Sequence, residues 1–329
     1  MKKEYIKKLM FRYNQFGGVR LLKEYNKMGL IGFTFKELLG CFMKGQPFKT
    51  VYPNVLRKVE LTLRNKYQPY LYKLKEKYED EVVAENPNRT IWFSWLQGMD
   101  NAPDLVKACY NSVQREMEGM DIKVVTNDNM SDYVDIPDDI LAKNRAGIIP
   151  DANFSDLLRL EILIKYGGVW SDSTVLCTGY KNNGFQKIKI EEALSADLFM
   201  FQYTDNLTKA FQGISTWFIA AHARNKLLMI LRDMLYQYWR DYDCVVDYFV
   251  CNFFFSMIVE EYPEEIRRMP HGNSMPCLML GQKLNMNFDE KWYNKLTENV
   301  VLHKLNYRVE DDAKNNPNSI YNELMRRYL

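Results

Sequence analysis

The chain has 329 residues, 47% of them hydrophobic and 14% aromatic, which suits one large catalytic domain with an appendage or two small domains. Disordered chains and small disulfide-stapled folds are excluded by that composition. Its 44 basic and 42 acidic residues leave a net charge of only +2, which argues against a dedicated nucleic-acid binder. The balance is uneven, however. Residues 1–77 carry 18 Lys and Arg against five Glu and no Asp, a local +13, and the remainder carries −11. A segment of that kind points to an anionic surface.

In chain order, Tyr5, Ile6, Leu9, Met10 and Tyr13 share one helical face with Lys2, Lys3, Lys7 and Lys8 around it, a basic amphipathic helix over the first 14 residues. Further helices are predicted over Val19 to Met28 and from Phe35, where Thr34 and Glu37 have capping-box spacing. Helical spacing resumes between Val55 and Glu79, with Pro69 expected to break or kink the run. This basic helical region, residues 1–85, reads either as a platform for anionic lipid or as a solvated face packed on the rest of the protein.

Beyond Asn88 the texture changes. Thr90–Trp95 reads as a strand of bulky residues, Pro103–Met117 as a helix with Leu105, Val106, Cys109, Val113 and Met117 on its core face, and Asp121–Thr126 as a second strand. Strand, helix and strand in that order form the βαβ unit of a parallel α/β sheet. The apolar run Tyr248–Val259 is 12 residues long, shorter than the roughly 20 a membrane span needs, and reads as a core helix. No signal peptide is evident, and six Cys without a C-x-x-C pair read as reduced thiols of a cytosolic protein.

The densest segment is Phe154–Thr178. Ser155 has the character of a cap for a helix over Asp156–Tyr166, whose apolar residues nearly encircle it, so the helix is expected to be buried. Asp156 and Arg159 lie one turn apart on it, and pairing with each other is the simplest use of two charges there. Gly167-Gly168 ends the helix, a strand Val169–Ser171 follows, and Asp172 stands at its carboxyl end with Ser173 and Thr174 after it. Ligands of open α/β sheets bind outside the carboxyl ends of strands, so Asp172 is a candidate for a divalent cation or a sugar hydroxyl.

The succession IWFSWLQG, PDLVKACYNSV and IPDANFSDLLRLEILIKYGGVWSDST resembles the bacterial capsular polysaccharide synthesis glycosyltransferases, relatives of glycosyltransferase family 32, and more distantly the large clostridial toxin glucosyltransferases. The resemblance spans roughly residues 90 to 305 and is most specific over 150–180. It implies a GT-A, Rossmann-like α/β core over residues 86–310 with a helical tail at 311–329, and transfer of a hexose, glucose or galactose, from a UDP-sugar with retention. The acceptor it implies is a lipid-linked capsular or exopolysaccharide repeat unit; the basic residues 1–77 would then hold the enzyme at the inner face of the cell membrane, and the near-neutral total charge speaks against a nucleic-acid partner.

Residue by residue, the resemblance assigns Trp95 to stacking on the uracil base, Asp156 and Arg159 to the donor sugar and diphosphate, and Asp172 to ribose, metal or both. It also implies Mn2+ or Mg2+. Where most relatives have a second Asp this chain has Thr174, the Asp-x-Thr form of the capsular subgroup, which leaves one carboxylate fewer for the cation. A late segment after the predicted strand Val300–Leu302 supplies His303 as a further metal ligand and Lys304 as a countercharge to the departing diphosphate. Two other readings stay open from sequence: a sugar-1-phosphate transferase of capsule assembly, and a non-catalytic protein that binds anionic surfaces.

Overall fold

A computed structural model describes residues 18–45, 51–85, 88–178, 184–204 and 211–329. The predicted helix of the first 14 residues lies outside them. The chain forms two compact units, each assembled from separated stretches: Met1–Glu81, Ile136–Glu161 and Lys226–Pro263 in one, Val82–Asp135, Ile162–Asn225 and Glu264–Leu329 in the other. This differs from the linear division into 1–85, 86–310 and 311–329, and the reason lies in where the N-terminal helices find apolar partners.

In the first unit, helices α1 (Val19–Lys27), α2 (Leu30–Met43) and α3 (Val51–Lys77) follow one another. The capping box expected at Thr34 does not form. Helix α2 begins at Leu30, after Gly29 in the left-handed conformation at φ 69°, and Thr34 falls inside it. Nor does Pro69 break α3, which runs on through it. Proline in a helix interior costs about 3 kcal/mol. That cost is offset because α3 buries Val59, Leu63, Tyr67, Leu71 and Leu74 along one stripe, each worth about 1.5–3 kcal/mol. The carbonyl that Pro69 leaves without its partner belongs to Asn65, and both residues are exposed to water. The stripe faces α8 (Lys226–Asp241) and α9 (Val250–Glu261), the latter being the predicted apolar core helix. Tyr67 packs edge-on to Phe254 at 4.9 Å and donates to Asp241 at 2.8 Å. The basic side of α3 is matched by acidic partners on the same helices: Arg64 with Glu260, Lys66 with Asp241, Lys75 with Glu261, Lys77 with Asp233. Part of the positive charge of residues 1–77 is therefore used inside this unit.

The second unit is built on a five-stranded sheet of order β2-β1-β3-β6-β5, from β1 (Thr90–Ser94), β2 (Asp121–Val125), β3 (Gly168–Asp172), β5 (Leu198–Thr204) and β6 (Phe211–Ala221). Strands β2, β1 and β3 are parallel, as the βαβ reading requires, with α4 (Asp104–Glu116) between β1 and β2. An antiparallel pair, β6 and β5, completes the sheet. A smaller antiparallel sheet joins β4 (Val175–Cys177) to β7 (Leu302–Lys304). The predicted core face of α4 is buried in full, and the C-terminal helix, Ile320–Tyr328, packs on α4, with Asn111 donating to the Tyr328 carbonyl at 2.8 Å.

The two glycines before β3 have separate tasks. Gly167, at φ 67°, ends the preceding helix and accepts a hydrogen bond from Trp92 Nε1 at 2.9 Å. Gly168, at φ 94°, lies so close to β1 that a Cβ there would meet the Thr90 carbonyl oxygen at 2.5 Å. Gly119 also has a positive φ, 82°, but open space around it. Gly168→Ala is expected to lower unfolding free energy by about 3 kcal/mol or more, from backbone strain plus the clash, and Gly119→Ala by about 1–2 kcal/mol from strain alone. Urea unfolding of the two variants beside the parent chain measures the difference; equal losses would refute the packing argument.

Candidate active site

Strands β1 and β3 are neighbours in parallel register, Ser94 opposite Asp172, so their carboxyl ends open side by side. Trp170 and Asp172 are two apart on β3 and therefore share a face of the sheet. The Trp170 indole N–H donates to Asp172 Oδ1 at 3.0 Å. The other carboxylate oxygen, Oδ2, lies 3.3 Å from the Lys304 ammonium. Lys304 also donates to the Thr174 hydroxyl at 2.5 Å, a contact between residues 130 apart in sequence. Main-chain pairing holds the three in place: Val175 is in register with Lys304, and Leu305 N–H donates to the Thr174 carbonyl at 2.8 Å. Asp172 and Lys304 each keep about a quarter of their side-chain surface exposed. Trp95 follows directly after β1, half-buried, its ring meeting Tyr307 edge-on at 5.4 Å and its Nε1 buried without a hydrogen-bond partner.

The structure does not bring His303 into this group. The predicted strand starts two residues later than expected, so His303 lies inside β7 opposite Leu176, not beyond the strand end. Alternation along β7 sends it to the other face from Lys304. It is fully buried, with Nε2 2.8 Å from the Thr178 hydroxyl. Burial pushes the imidazole down to about 3, so it is neutral at ordinary pH.

A divalent cation, implied by the family resemblance, would find one carboxylate and one hydroxyl here, both already bonded to an ammonium group. Mn2+ and Mg2+ are ordinarily held by several oxygens with carboxylates among them. Among the described residues there is no cluster of three or more His, Cys, Asp or Glu able to hold a metal ion. Asp172 and Thr174 could supply one carboxylate and one hydroxyl to such a cation, the remaining positions falling to substrate phosphates and water; Lys304 bonds both side chains in this structure.

Asp156 and Arg159 belong to the first unit, on α6 (Asp151–Tyr166). This helix starts at Asp151, so Ser155 is not its cap. Instead Ser155 receives Arg159: the guanidinium donates to the Ser155 carbonyl at 3.1 Å and to its hydroxyl at 3.3 Å. Arg159 Nη2 lies 3.3 Å from Asp156 Oδ1, the ion pair expected from their spacing, with the Arg159 side chain only 6% exposed. Asp156 lines a small cleft with Asn153, Leu235, Tyr238, Trp239 and Val250. All six cysteines are buried and none is in a disulfide; burial raises the Cys244 and Cys277 thiols to about 12.

A model of the capsular polysaccharide synthesis protein family matches residues 46–324, most of the chain. The chain belongs to that family. Among solved structures it is similar to one titled "PaToxG Glycosyltransferase", at 13% identity over 62% of this chain and 80% of that one, with a TM-score of 0.35. No curated protein matches it. The match takes in every site residue described above; helices α1 and α2 precede it.

Three residues of this capsular polysaccharide synthesis protein were not legible as site residues: Trp170, Ser155 and Tyr307. The signal for Trp170 was its position two before Asp172 on a strand, and for Ser155 its position four before Arg159 on a helix. Tyr307 had no sequence signal. For His303, the folded value near 3 lies below the ordinary 6.5. The unfolded chain therefore binds a proton that the folded chain does not. Its contribution to stability is complete above about pH 6.5 and declines as pH falls toward 3, by up to about 1.4 kcal/mol per pH unit. Urea titrations at pH 7 and pH 5 are expected to show this slope in the parent chain and to lose it in His303→Gln.

Proposed function

We propose that this capsular polysaccharide synthesis protein is a glycosyltransferase that moves a hexose from a UDP-sugar, UDP-glucose or UDP-galactose, to a hydroxyl of a lipid-linked capsular or exopolysaccharide repeat unit. The observation that carries the reading is the placement of Asp172, Thr174 and Lys304 as one hydrogen-bonded group at the carboxyl end of β3. Trp95 follows the adjacent end of β1. This is the part of an α/β sheet where nucleotides are held.

In such a transfer the bond from the sugar C1 to the diphosphate oxygen breaks and the acceptor hydroxyl oxygen bonds to C1. Its proton passes to the departing diphosphate. Positive charge grows on the sugar and negative charge on the leaving group. Lys304 supplies a fixed ammonium for the second of these, and Asp172 and Thr174 hold it in position. Asp172 also offers a carboxylate to a ribose or sugar hydroxyl, and Trp95 an aromatic face for uracil, a stack worth about 1–3 kcal/mol. Asp156 and Arg159 are assigned to the donor sugar and diphosphate by their motif, and retention by the same resemblance. A divalent cation held by Asp172 and Thr174 would supply further neutralisation of charge at the diphosphate.

UDP release from purified protein with UDP-glucose or UDP-galactose tests the reading. Slow hydrolysis of one of them is expected; Asp172→Ala abolishes it, and Lys304→Ala lowers it about 10²–10³-fold. The partly exposed ion pair adds only about 0–1 kcal/mol to stability, and Asp172→Ala also frees the buried Trp170 N–H at a cost of about 1–3 kcal/mol, so circular dichroism of both variants is read beside their activity. Indifference to both substitutions, or release of UMP in place of UDP, would remove the assignment.

A further inference from the structure

Helix α2 is built the wrong way round for a helix of a water-soluble surface. Its inward side is narrow, with Leu30 and Cys41 as its buried residues. Its outward side carries Ile31, Phe35, Leu38, Leu39 and Phe42, and Met43 ends the helix; Phe35 is 68% exposed, Phe42 75% and Met43 77%. The spacing of Ile31, Phe35, Leu38 and Phe42 is i, i+4, i+7 and i+11, a single continuous stripe. Val19 and Leu22 of α1 add to the exposed apolar surface of this helix pair. The pair is anchored, since Leu21 is buried and the Tyr25 hydroxyl donates to the Val246 carbonyl at 2.9 Å. Contiguous exposed apolar surface on an anchored element marks a binding face.

Charge decides what it binds. Between residues 18 and 45 stand Arg20, Lys23, Lys27, Lys36 and Lys44 against Glu24 and Glu37. Glu24 pairs with Lys27 at 2.7 Å, and Glu37 accepts from Asn54 at 2.6 Å. Arg20, Lys23, Lys36 and Lys44 are exposed. A second copy of this chain would set that basic surface against itself, whereas an anionic bilayer complements it. The 14 residues of α2 extend about 21 Å, too short to cross a hydrocarbon core of about 30 Å, so the helix would lie in the plane of the interface. Among the described residues no helix is long and apolar enough to cross a membrane.

We propose that the outward face of α2, extended by Val19 and Leu22, is a lipid-inserting surface that docks the protein on an anionic phospholipid bilayer, with Phe35 and Phe42 entering the acyl region and the flanking Lys and Arg at the headgroups. The acidic partners of α3 leave that longer helix a lesser part in the attraction. The docking surface is separate from the glycosyltransferase reading, and either can fail without the other.

Flotation of the full chain with vesicles of equimolar phosphatidylglycerol and phosphatidylcholine, and of phosphatidylcholine alone, tests it. The parent protein is expected to float with the anionic vesicles, less so at raised salt. Phe35→Ser with Phe42→Ser lowers the partition coefficient by about 100-fold, about tenfold for each buried ring lost. Lys23→Gln with Lys44→Gln lowers it about 30-fold on anionic vesicles only. The Phe variant keeps its circular dichroism and its release of UDP. A Phe42→Trp chain keeps the face apolar, and its added fluorescence is expected to be quenched by brominated acyl chains. Unchanged flotation of the Phe variant, absence of that quenching, or a parent dimer that the Phe substitutions dissociate without any vesicle binding would each overturn the proposal.

Discussion

The approach of Gly168 to the Thr90 carbonyl is the contact on which the sheet and the candidate site depend. A side chain at Gly168 would meet that oxygen at 2.5 Å, so β3 reaches its register with β1 only because the residue lacks a Cβ. From that register Ser94 comes opposite Asp172, and the ends of the two strands open together. The Trp92 indole, also on β1, donates to the Gly167 carbonyl and fastens the turn to that strand. Glycine here gives up chain entropy in exchange for a backbone approach that no other residue permits.

Charge is used in two ways in this chain. On α3 it is local: lysines and arginines meet acidic residues of α8 and α9, and Pro69 is tolerated because the opposite stripe is firmly buried. On α1 and α2 the basic residues flank exposed aromatic and aliphatic side chains. A net figure for residues 1–77 merges the two. Separated, they distinguish a packed helix from a surface suited to lipid.

At the strand ends a similar substitution of charge is at work. Thr174 offers a hydroxyl and no second carboxylate beside Asp172, and Lys304 comes from the far end of the chain to bond both. An ammonium needs no coordination sphere of several oxygens, and a single carboxylate is enough to hold it. His303, adjacent in sequence, is excluded from the same task by the two-residue period of the strand and by its burial against Thr178.

Local pattern sufficed for elements whose signal is local. The β1-α4-β2 unit, the core face of α4, the Gly-Gly helix end and the apolar helix α9 all follow from periodicity and turn chemistry. Thr34 and Ser155 have cap chemistry but fall inside helices that begin earlier, at Leu30 and at Asp151. The sequence alone determined the family, the α/β class, the pairing of Asp156 with Arg159, the place of Asp172 at the end of β3, and the excess of positive charge near the N-terminus. Tertiary structure decided which groups meet. Lys304 reaches Thr174 across 130 residues, β7 turns His303 inward, and α2 leaves its apolar stripe uncovered. Those outcomes depend on which strand pairs with which and on which helix covers which face, and contacts between distant segments leave no periodic trace in the chain.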